Sequence, residues 1–286
     1  MRSKLSGLFK QAGFYRIAMA LLVSAVLGGC QAPRQALQQL ADERGRTLQI
    51  LQLRPYPLAL LSPRTAAVGT RLRVYIEGDG HAWSTSNQPS LDPSPYNLLV
   101  ARLAADDPTP NAYLARPCQF VSAPDCKLQL WTDRRFSQEV VDSLGQALDQ
   151  LKMRYGNRDF ELVGYSGGAA LALLLAAQRD DVSLVQTIAG NLSPRLWTQA
   201  QGLTPLNGSL EPLDYRDHLT SLPQRHLVGE QDRIVPAQLA ELYRQGLIEP
   251  SCLQIIRIPK ASHDEEWETA WKQWGSRPTM SAGCPF

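Results

Sequence analysis

Apolar residues occur along the chain in short runs that are separated by stretches of helical periodicity. Eight runs of four to six residues have the length and the Leu, Ile and Val content typical of buried β-strands. Their spacing from residue 48 to residue 258 indicates one sheet-based domain. The predicted strands are Leu48–Leu53, Leu58–Leu61, Leu72–Ile76, Ala112–Ala115, Asp159–Val163, Leu184–Ala189, Arg225–Val228 and Leu253–Ile258.

Helical periodicity fills most of the intervals between these runs. Between Ser137 and Tyr155, apolar residues recur at steps of three and four, which indicates an amphipathic helix. Ala169–Ala177 is apolar almost all round, which indicates a helix buried on every side. Strands that alternate with helices indicate right-handed βαβ units, so the sequence predicts an α/β fold with a mostly parallel central sheet and helices on both faces. Further helices are predicted at Tyr96–Ala104, Ala237–Gly246 and Glu265–Trp274, and residues 31–45 are either a polar tether or an amphipathic helix.

Composition excludes several classes of protein. The 286 residues are 44% hydrophobic and 20% charged, both near the globular average, which argues against a disordered chain. The formal net charge is only +2, so the chain lacks the basic excess typical of nucleic-acid binders. The sequence contains neither a P-loop nor a G-x-G-x-x-G motif that opens a βαβ unit, nor a Cys/His cluster. We therefore expect no cofactor, no metal and no nucleic-acid partner.

The first 30 residues have the pattern of an export signal. Basic but no acidic residues occupy positions 1–16, and an apolar run, Ile17–Leu27, follows. This run would cover only about 16 Å of the ~30 Å hydrocarbon core of a bilayer. Leu27-Gly28-Gly29-Cys30 resembles the lipobox of bacterial lipoproteins, which implies cleavage after residue 29 and lipidation of Cys30. Gln31 then favours the outer membrane, with the domain facing the periplasm; an ordinary signal peptide with a chance cysteine is the alternative.

The four remaining cysteines agree with an oxidising compartment. Cys118 and Cys126 flank a short segment, which favours a local disulfide between them. Cys252 and Cys284 would then join the C-terminal tail to the domain. The alternatives are the two other pairings of four cysteines, or four free buried thiols.

The segment Gly164-Tyr165-Ser166-Gly167-Gly168 contains the motif G-x-S-x-G. It directly follows a predicted strand and directly precedes the apolar helix. In that context the motif indicates a sharp turn that presents the Ser166 hydroxyl above the sheet at a helix N-terminus. The sequence thus predicts a nucleophilic serine; a glycine-rich turn with a solvent-exposed serine is the alternative.

A serine nucleophile needs a general base, and the chain has four histidines. His263 follows the last predicted strand, which places it at the carboxyl edge of the sheet, and it is the predicted base. His226 lies within a strand and is expected to be packed there. His218 lies in the segment 194–223, and His81 follows a glycine-rich loop near the expected pocket mouth.

The acid that orients the base should follow the seventh strand. Asp232 lies three residues beyond the glycine that ends this strand, and Glu230 is its alternative. Asp232 could instead cap the next helix, which Pro236 would begin.

Ser166, Asp232 and His263 follow one another in the order found in the α/β-hydrolase superfamily, which the chain resembles over residues 47–276. The resemblance implies an esterase- or lipase-like serine hydrolase domain at 47–286 with a small lid at 194–223, between the sixth and seventh strands. Residues 1–29 would be the signal peptide, and 30–46 the lipidated Cys30 and its tether. A peptidase or a thioesterase would use the same three residues.

The resemblance also implies an oxyanion hole with two backbone N–H donors. Gly167, the residue after the nucleophile, is expected to supply one donor. By position, Asp79 in the loop after Ile76 is expected to supply the other, and Gly80 is its alternative. Many superfamily members carry His-Gly here, whereas this chain has Glu77-Gly78-Asp79-Gly80. A carboxylate beside a developing anion is unfavourable unless it points away.

The substrate is expected to be a small or lipid-like acyl compound. Four tryptophans in loops or near helix starts are either pocket aromatics or ordinary core residues: Trp83, Trp131, Trp197 and Trp267. The competing function is a catalytically silent envelope lipoprotein that uses the same scaffold for binding or assembly.

Overall fold

The computed structural model describes residues 32–65, 67–250 and 252–277. In this part of the chain, eight strands form one open sheet, and the predicted α/β fold with a mostly parallel sheet is confirmed. The strands are β1 (Leu48–Leu51), β2 (Leu58–Leu61), β3 (Arg71–Ile76), β4 (Asn111–Leu114), β5 (Asp159–Tyr165), β6 (Val182–Ile188), β7 (Gln224–Gly229) and β8 (Leu253–Ile258).

The strand order is β1-β2-β4-β3-β5-β6-β7-β8. β2 is antiparallel to both of its neighbours, and all other neighbouring strands are parallel. In the parallel part, Gly164 at the end of β5 pairs with Ile76 at the end of β3, and Gly229 of β7 pairs with Ile258 of β8. The loops after β3, β5, β7 and β8 therefore leave the sheet at the same edge, where ligand sites of parallel sheets form.

Helices cover both faces of the sheet. Those with at least seven residues are α1 (Pro33–Glu43), α2 (Leu99–Asp106), α3 (Gln138–Tyr155), α4 (Gly167–Ala177), α5 (Pro194–Ala200), α7 (Gln238–Gly246) and α8 (Trp267–Trp274). A short helix, α6 (Arg216–Leu219), and two 3-10 turns, Leu128–Trp131 and Pro212–Tyr215, complete the set.

Two hydrophobic cores lie on opposite faces because successive strand side chains point to opposite sides. In β3, Val74 and Ile76 belong to the first core, whereas Tyr75 belongs to the second. The first core packs against α3, α4 and α7, and the second against α1, α2 and α8. Helix α4 is buried almost all round, as its apolar sequence predicts, because it lies between β5 and the other helices of its face.

Several boundaries differ from the sequence prediction. Residues Pro33–Glu43 form the amphipathic helix α1, with Leu37 buried in the second core, so this segment is packed on the domain instead of being a free tether. Helix α2 begins at Leu99 instead of Tyr96, because the chain is bent at Tyr96 and the Tyr96 ring packs edge-on against His81. Helix α8 begins at Trp267, after Glu266 takes a positive φ of 72°.

Cys118 and Cys126 are joined by a disulfide, with their Cα atoms 5.7 Å apart. Cys284, Cys30 and the predicted signal peptide lie outside the described residues, so the Cys252–Cys284 pairing and the lipidation remain predictions. Within the described ranges, no helix is long and apolar enough to cross a membrane.

Candidate active site

Ser166 occupies the sharp turn between β5 and α4. Its φ of 50° and ψ of −121° are a strained combination for a residue with a side chain. The turn is fixed because the Ser166 N–H donates to Ile188 O at 3.0 Å, and Ser166 O accepts from Asn191 N–H at 2.9 Å. Gly164 has to be a glycine here, since a Cβ at this position would lie 2.5 Å from Ala169 Cα. The turn predicted from G-x-S-x-G is therefore present.

The structure brings Ser166, His263 and Asp232 together, although 66 and 31 residues separate them along the chain. His263 Nε2 lies 2.9 Å from Ser166 Oγ, and His263 Nδ1 lies 2.8 Å from Asp232 Oδ2. With the ring proton on Nδ1, His263 donates to Asp232 and its free Nε2 can accept the serine proton. This is the arrangement that activates a serine hydroxyl.

Asp232 is held by the turn that follows β7. Its Oδ1 accepts from the N–H groups of Ile234 and Val235 at 2.9 and 2.8 Å, and its side chain is fully buried. Asp232 therefore stabilises a local turn rather than capping α7, whose N-cap residue is Ala237. The alternative acid, Glu230, is exposed and has no hydrogen bond to His263.

The loop after β8 holds His263 through its main chain. His263 O accepts from Trp267 Nε1 at 2.8 Å and from the Tyr165 hydroxyl at 3.0 Å. The Tyr165 hydroxyl oxygen also lies 2.7 Å from Asp264 Oδ1, so its single proton is shared between the two acceptors. Tyr165 and Trp267 therefore both hold the main chain at His263.

The other histidines lie away from Ser166 Oγ or serve the core. His226 is fully buried within β7, bonded to Thr187 Oγ1 at 2.9 Å, and burial lowers its pKa to about 3. His218 is exposed on α6. His81 lines the same cleft as Ser166, which agrees with its expected position near the pocket mouth.

The loop after β3 lies against the start of α4. A Cβ added to Gly167 would meet the Asp79 carboxylate, and one added to Gly168 would meet the main-chain oxygens of Ile76 and Glu77. No hydrogen bond to another described residue uses the N–H of Gly167 or Asp79 as its donor. Among the described residues, nothing therefore competes with a ligand for either predicted oxyanion donor.

The Asp79 carboxylate is ion-paired on both oxygens. Oδ1 pairs with Arg116 Nη1, and Oδ2 pairs with Arg135 Nη1 at 2.6 Å. Burial alone would raise the pKa of Asp79, but Arg135 and Arg116 together lower it to about 2. The carboxylate is therefore neutralised by the protein and is not a free anion facing the substrate.

Glu77, two residues earlier, has the opposite environment. It is 1% exposed, and its oxygens accept from Gly78 N–H at 2.9 Å and from the Tyr113 hydroxyl at 2.8 Å. Burial without a close cation raises the pKa of Glu77 to about 7.

These groups lie in a cleft of about 1040 Å³. One part of its lining comes from residues 80–97, with Trp83 and Tyr96, and another from the predicted lid segment, with Trp197 and Leu203. Trp131 and Trp267 are instead buried core residues, with their indole N–H groups bonded to main-chain oxygens. The described residues include no group of three or more His, Cys, Asp or Glu side chains arranged to hold a metal ion, in the cleft or elsewhere.

The molecule is similar in fold to solved structures of esterases and serine hydrolases. An esterase from Pyrococcus furiosus superposes with a TM-score of 0.60 at 10% identity, over 83% of this chain and 92% of that one. Est1E from Butyrivibrio proteoclasticus gives 0.54 at 14% identity, over 80% and 97%. A serine hydrolase without a lid, from Xanthomonas campestris, gives 0.51 at 17% identity, over 82% and 97%. No protein-family model and no curated protein matches the chain.

The chain has the α/β-hydrolase fold. Within that fold, sequence reasoning missed the residues that hold the loop after β3, namely Arg116, Arg135 and Gln119. No motif marks them, because their role depends on long-range contacts with Asp79 and Gly78. Asn191, which lies beside Ser166 in the cleft with its Oδ1 buried and unbonded, carried no sequence signal either.

Proposed function

We propose that this protein is a serine hydrolase that cleaves ester-type acyl bonds through an acyl-enzyme. The observation that carries the proposal is the unbroken chain of hydrogen-bond distances from Ser166 Oγ through His263 to the buried Asp232 carboxylate, 2.9 and 2.8 Å. The fold supports it, since the serine stands where α/β-hydrolase folds place a nucleophile.

In the proposed first step, His263 Nε2 takes the proton from Ser166 Oγ as Oγ attacks the ester carbonyl carbon. The resulting oxyanion accepts hydrogen bonds from the N–H groups of Gly167 and Asp79. The tetrahedral adduct then collapses, and the leaving alcohol takes the proton from His263. Asp232 holds the ring in the tautomer that this exchange requires and stabilises the imidazolium.

In the proposed second step, His263 takes a proton from water while the water oxygen attacks the acyl carbon. The second adduct breaks the bond to Oγ, and the proton returns from His263 to Ser166. The products are the carboxylic acid and free enzyme.

The cleft supports an apolar acyl substrate. Four large apolar side chains that line the cleft are exposed, and such exposed apolar surface commonly marks a binding site. They are Trp83, Tyr96, Leu203 and Ile234. A peptide or a thioester would react by the same chemistry. The proposed setting is the bacterial cell envelope, with the domain held by a lipid on Cys30 and facing the periplasm.

The test is to label the full chain with a fluorophosphonate and to measure hydrolysis of p-nitrophenyl esters. Ser166→Ala and His263→Ala should abolish labelling and lower kcat by about 10⁴-fold or more, without loss of folded protein. Ser221→Ala and His218→Ala, which change exposed residues of the same types, are the matched controls and should leave both unchanged. Absence of labelling and of ester hydrolysis in the folded wild-type protein would favour the silent-scaffold alternative.

A further inference from the structure

We propose that Asp79, held between Arg116 and Arg135, is a positioning residue that fixes its own backbone N–H as the second oxyanion donor. The two guanidinium groups and the one carboxylate would also leave this corner of the cleft with one net positive charge. The inference rests on the proposed acyl-transfer function and adds an element that the G-x-S-x-G motif does not contain.

The first argument is the position of the Asp79 carboxylate. It occupies the space where a side chain on Gly167 would begin, so it lies directly beside the first oxyanion donor. Arg116 Nη1 lies 3.1 Å from the same point. An unpaired carboxylate here would oppose the developing oxyanion, whereas a carboxylate paired with two cations does not.

The second argument is the rigidity of the ion pairs. The side chains of Arg116 and Arg135 are only 4% and 6% exposed. Each is held by a further bond, from Arg116 Nη2 to Arg135 O at 2.6 Å and from Arg135 Nε to Thr132 O at 2.5 Å. Guanidinium groups fixed in this way define the carboxylate position closely, because charge-assisted hydrogen bonds are both strong and directional.

The third argument is that the rest of the loop is anchored to the same segment. Gln119 Nε2 donates to Gly78 O at 3.0 Å, and Gln119 Oε1 accepts from Arg116 N–H at 3.0 Å. The main chain before Asp79 and the side chain of Asp79 are therefore both held by residues 116–119. The Asp79 N–H lies between these two anchors, so its direction is set before substrate binds, as electrostatic preorganisation requires.

The decisive experiment compares Asp79→Asn with wild type on p-nitrophenyl butyrate and on its thionoester, in which sulfur replaces the carbonyl oxygen. Sulfur is a weak hydrogen-bond acceptor, so the ester-to-thionoester ratio of kcat/KM reports on the oxyanion donors. Asn keeps the size of Asp but cannot pair with both cations. We expect kcat for the ester to fall about 10- to 100-fold with KM nearly unchanged, and the ratio to fall toward one.

Two further variants keep the result interpretable. Asp107→Asn removes a carboxylate from a different buried cluster, where it pairs with Arg73 at 2.7 Å, and should leave the ester-to-thionoester ratio at the wild-type value. Arg135→Lys keeps the positive charge but loses the planar guanidinium group with its several N–H donors. It should lower the ester-to-thionoester ratio less than Asp79→Asn does. It also serves if Asp79→Asn does not fold.

The outcomes separate the two proposals. A wild-type protein that neither takes up fluorophosphonate nor hydrolyses the ester would overturn the proposed function itself. An active wild type with an unchanged ester-to-thionoester ratio in Asp79→Asn and Arg135→Lys would overturn the positioning role alone.

Discussion

Two residues in the loop after β3 show how local partners decide the protonation state of a buried carboxyl group. Asp79 and Glu77 are two positions apart, and burial acts on both by raising the carboxyl pKa. Asp79 meets two arginines, which lower its pKa to about 2, whereas Glu77 meets only neutral donors closely and its pKa is about 7. Asp79 is therefore charged at any working pH, and Glu77 changes state near neutrality.

The raised pKa of Glu77 predicts a pH-dependent stability. Between its ordinary value of 4.5 and the folded value of about 7, the folded protein binds more protons at Glu77 than the unfolded chain does. Stability therefore falls as pH rises through this window, by up to about 1.4 kcal/mol per pH unit. Glu77→Gln removes the effect, since Gln can accept from Gly78 N–H and donate to the Tyr113 hydroxyl.

We expect Glu77→Gln to raise Tm relative to wild type at pH 8, and the difference to shrink toward pH 5. Thermal unfolding by circular dichroism at both pH values measures it. The same Tm difference at pH 5 and pH 8 would mean that Glu77 does not titrate in this range.

At the scale of elements, the disulfide segment 118–126 supports the site without touching the nucleophile. It follows Arg116 and includes Gln119, which are two of the three side chains that hold the loop after β3. Phe120 N–H also donates to Ser94 Oγ at 2.6 Å, which joins the segment to the cleft wall. The disulfide thus limits how far these anchors can move in the native protein.

We expect the double variant Cys118→Ser/Cys126→Ser to lose about 2.5 kcal/mol of unfolding free energy, the loop-closure value for a ring of this size. The rate of ester hydrolysis should also fall, because the main chain that carries Arg116 and Gln119 is then less rigidly held. Denaturant unfolding and ester hydrolysis, each with and without dithiothreitol, measure both effects.

The reductant should lower the stability and activity of the wild type to the level of the variant and leave the variant unchanged. A variant as stable and as active as wild type would show that the segment holds its shape without the bond.

The sequence predicted best those elements whose ends are determined by one local feature of the sequence. β2 and β8 have the predicted bounds because apolar runs end at turn residues on both sides. Ser166, Asp232 and His263 could be proposed because each follows a strand, and parallel strands bring such positions to one edge. The Arg116 and Arg135 contacts could not be predicted, because nothing local distinguishes a buried loop arginine from an exposed one.

At the scale of the whole molecule, charged groups are buried between the sheet and the end of α8 as well as in the cleft. Arg73 of β3 pairs with Asp107 at 2.7 Å and with Glu161 at 2.8 Å, and its Nη2 donates to Gly275 O at 2.8 Å. Arg225 of β7 similarly donates to Trp274 O at 2.8 Å. This cluster binds the end of α8 to the sheet. Because α8 begins four residues after His263, the cluster also fixes the far end of the helix that follows His263.

Arg73→Met tests this cluster. The variant leaves two buried carboxylates without their cation, which typically costs about 3–5 kcal/mol of unfolding free energy at neutral pH. In wild type, Arg73 lowers the pKa of Asp107 although burial alone would raise it. Without Arg73 that pKa rises, so the variant gains stability as pH falls and Asp107 binds a proton. The loss of unfolding free energy should therefore be largest at pH 8 and smaller at pH 5, as measured by denaturant unfolding.

Arg102→Met, which removes an exposed ion pair with Glu268 at 3.0 Å, is the matched control and should cost under about 1 kcal/mol at either pH. A deficit for Arg73→Met as small as the control's would show that the end of α8 is held by packing alone.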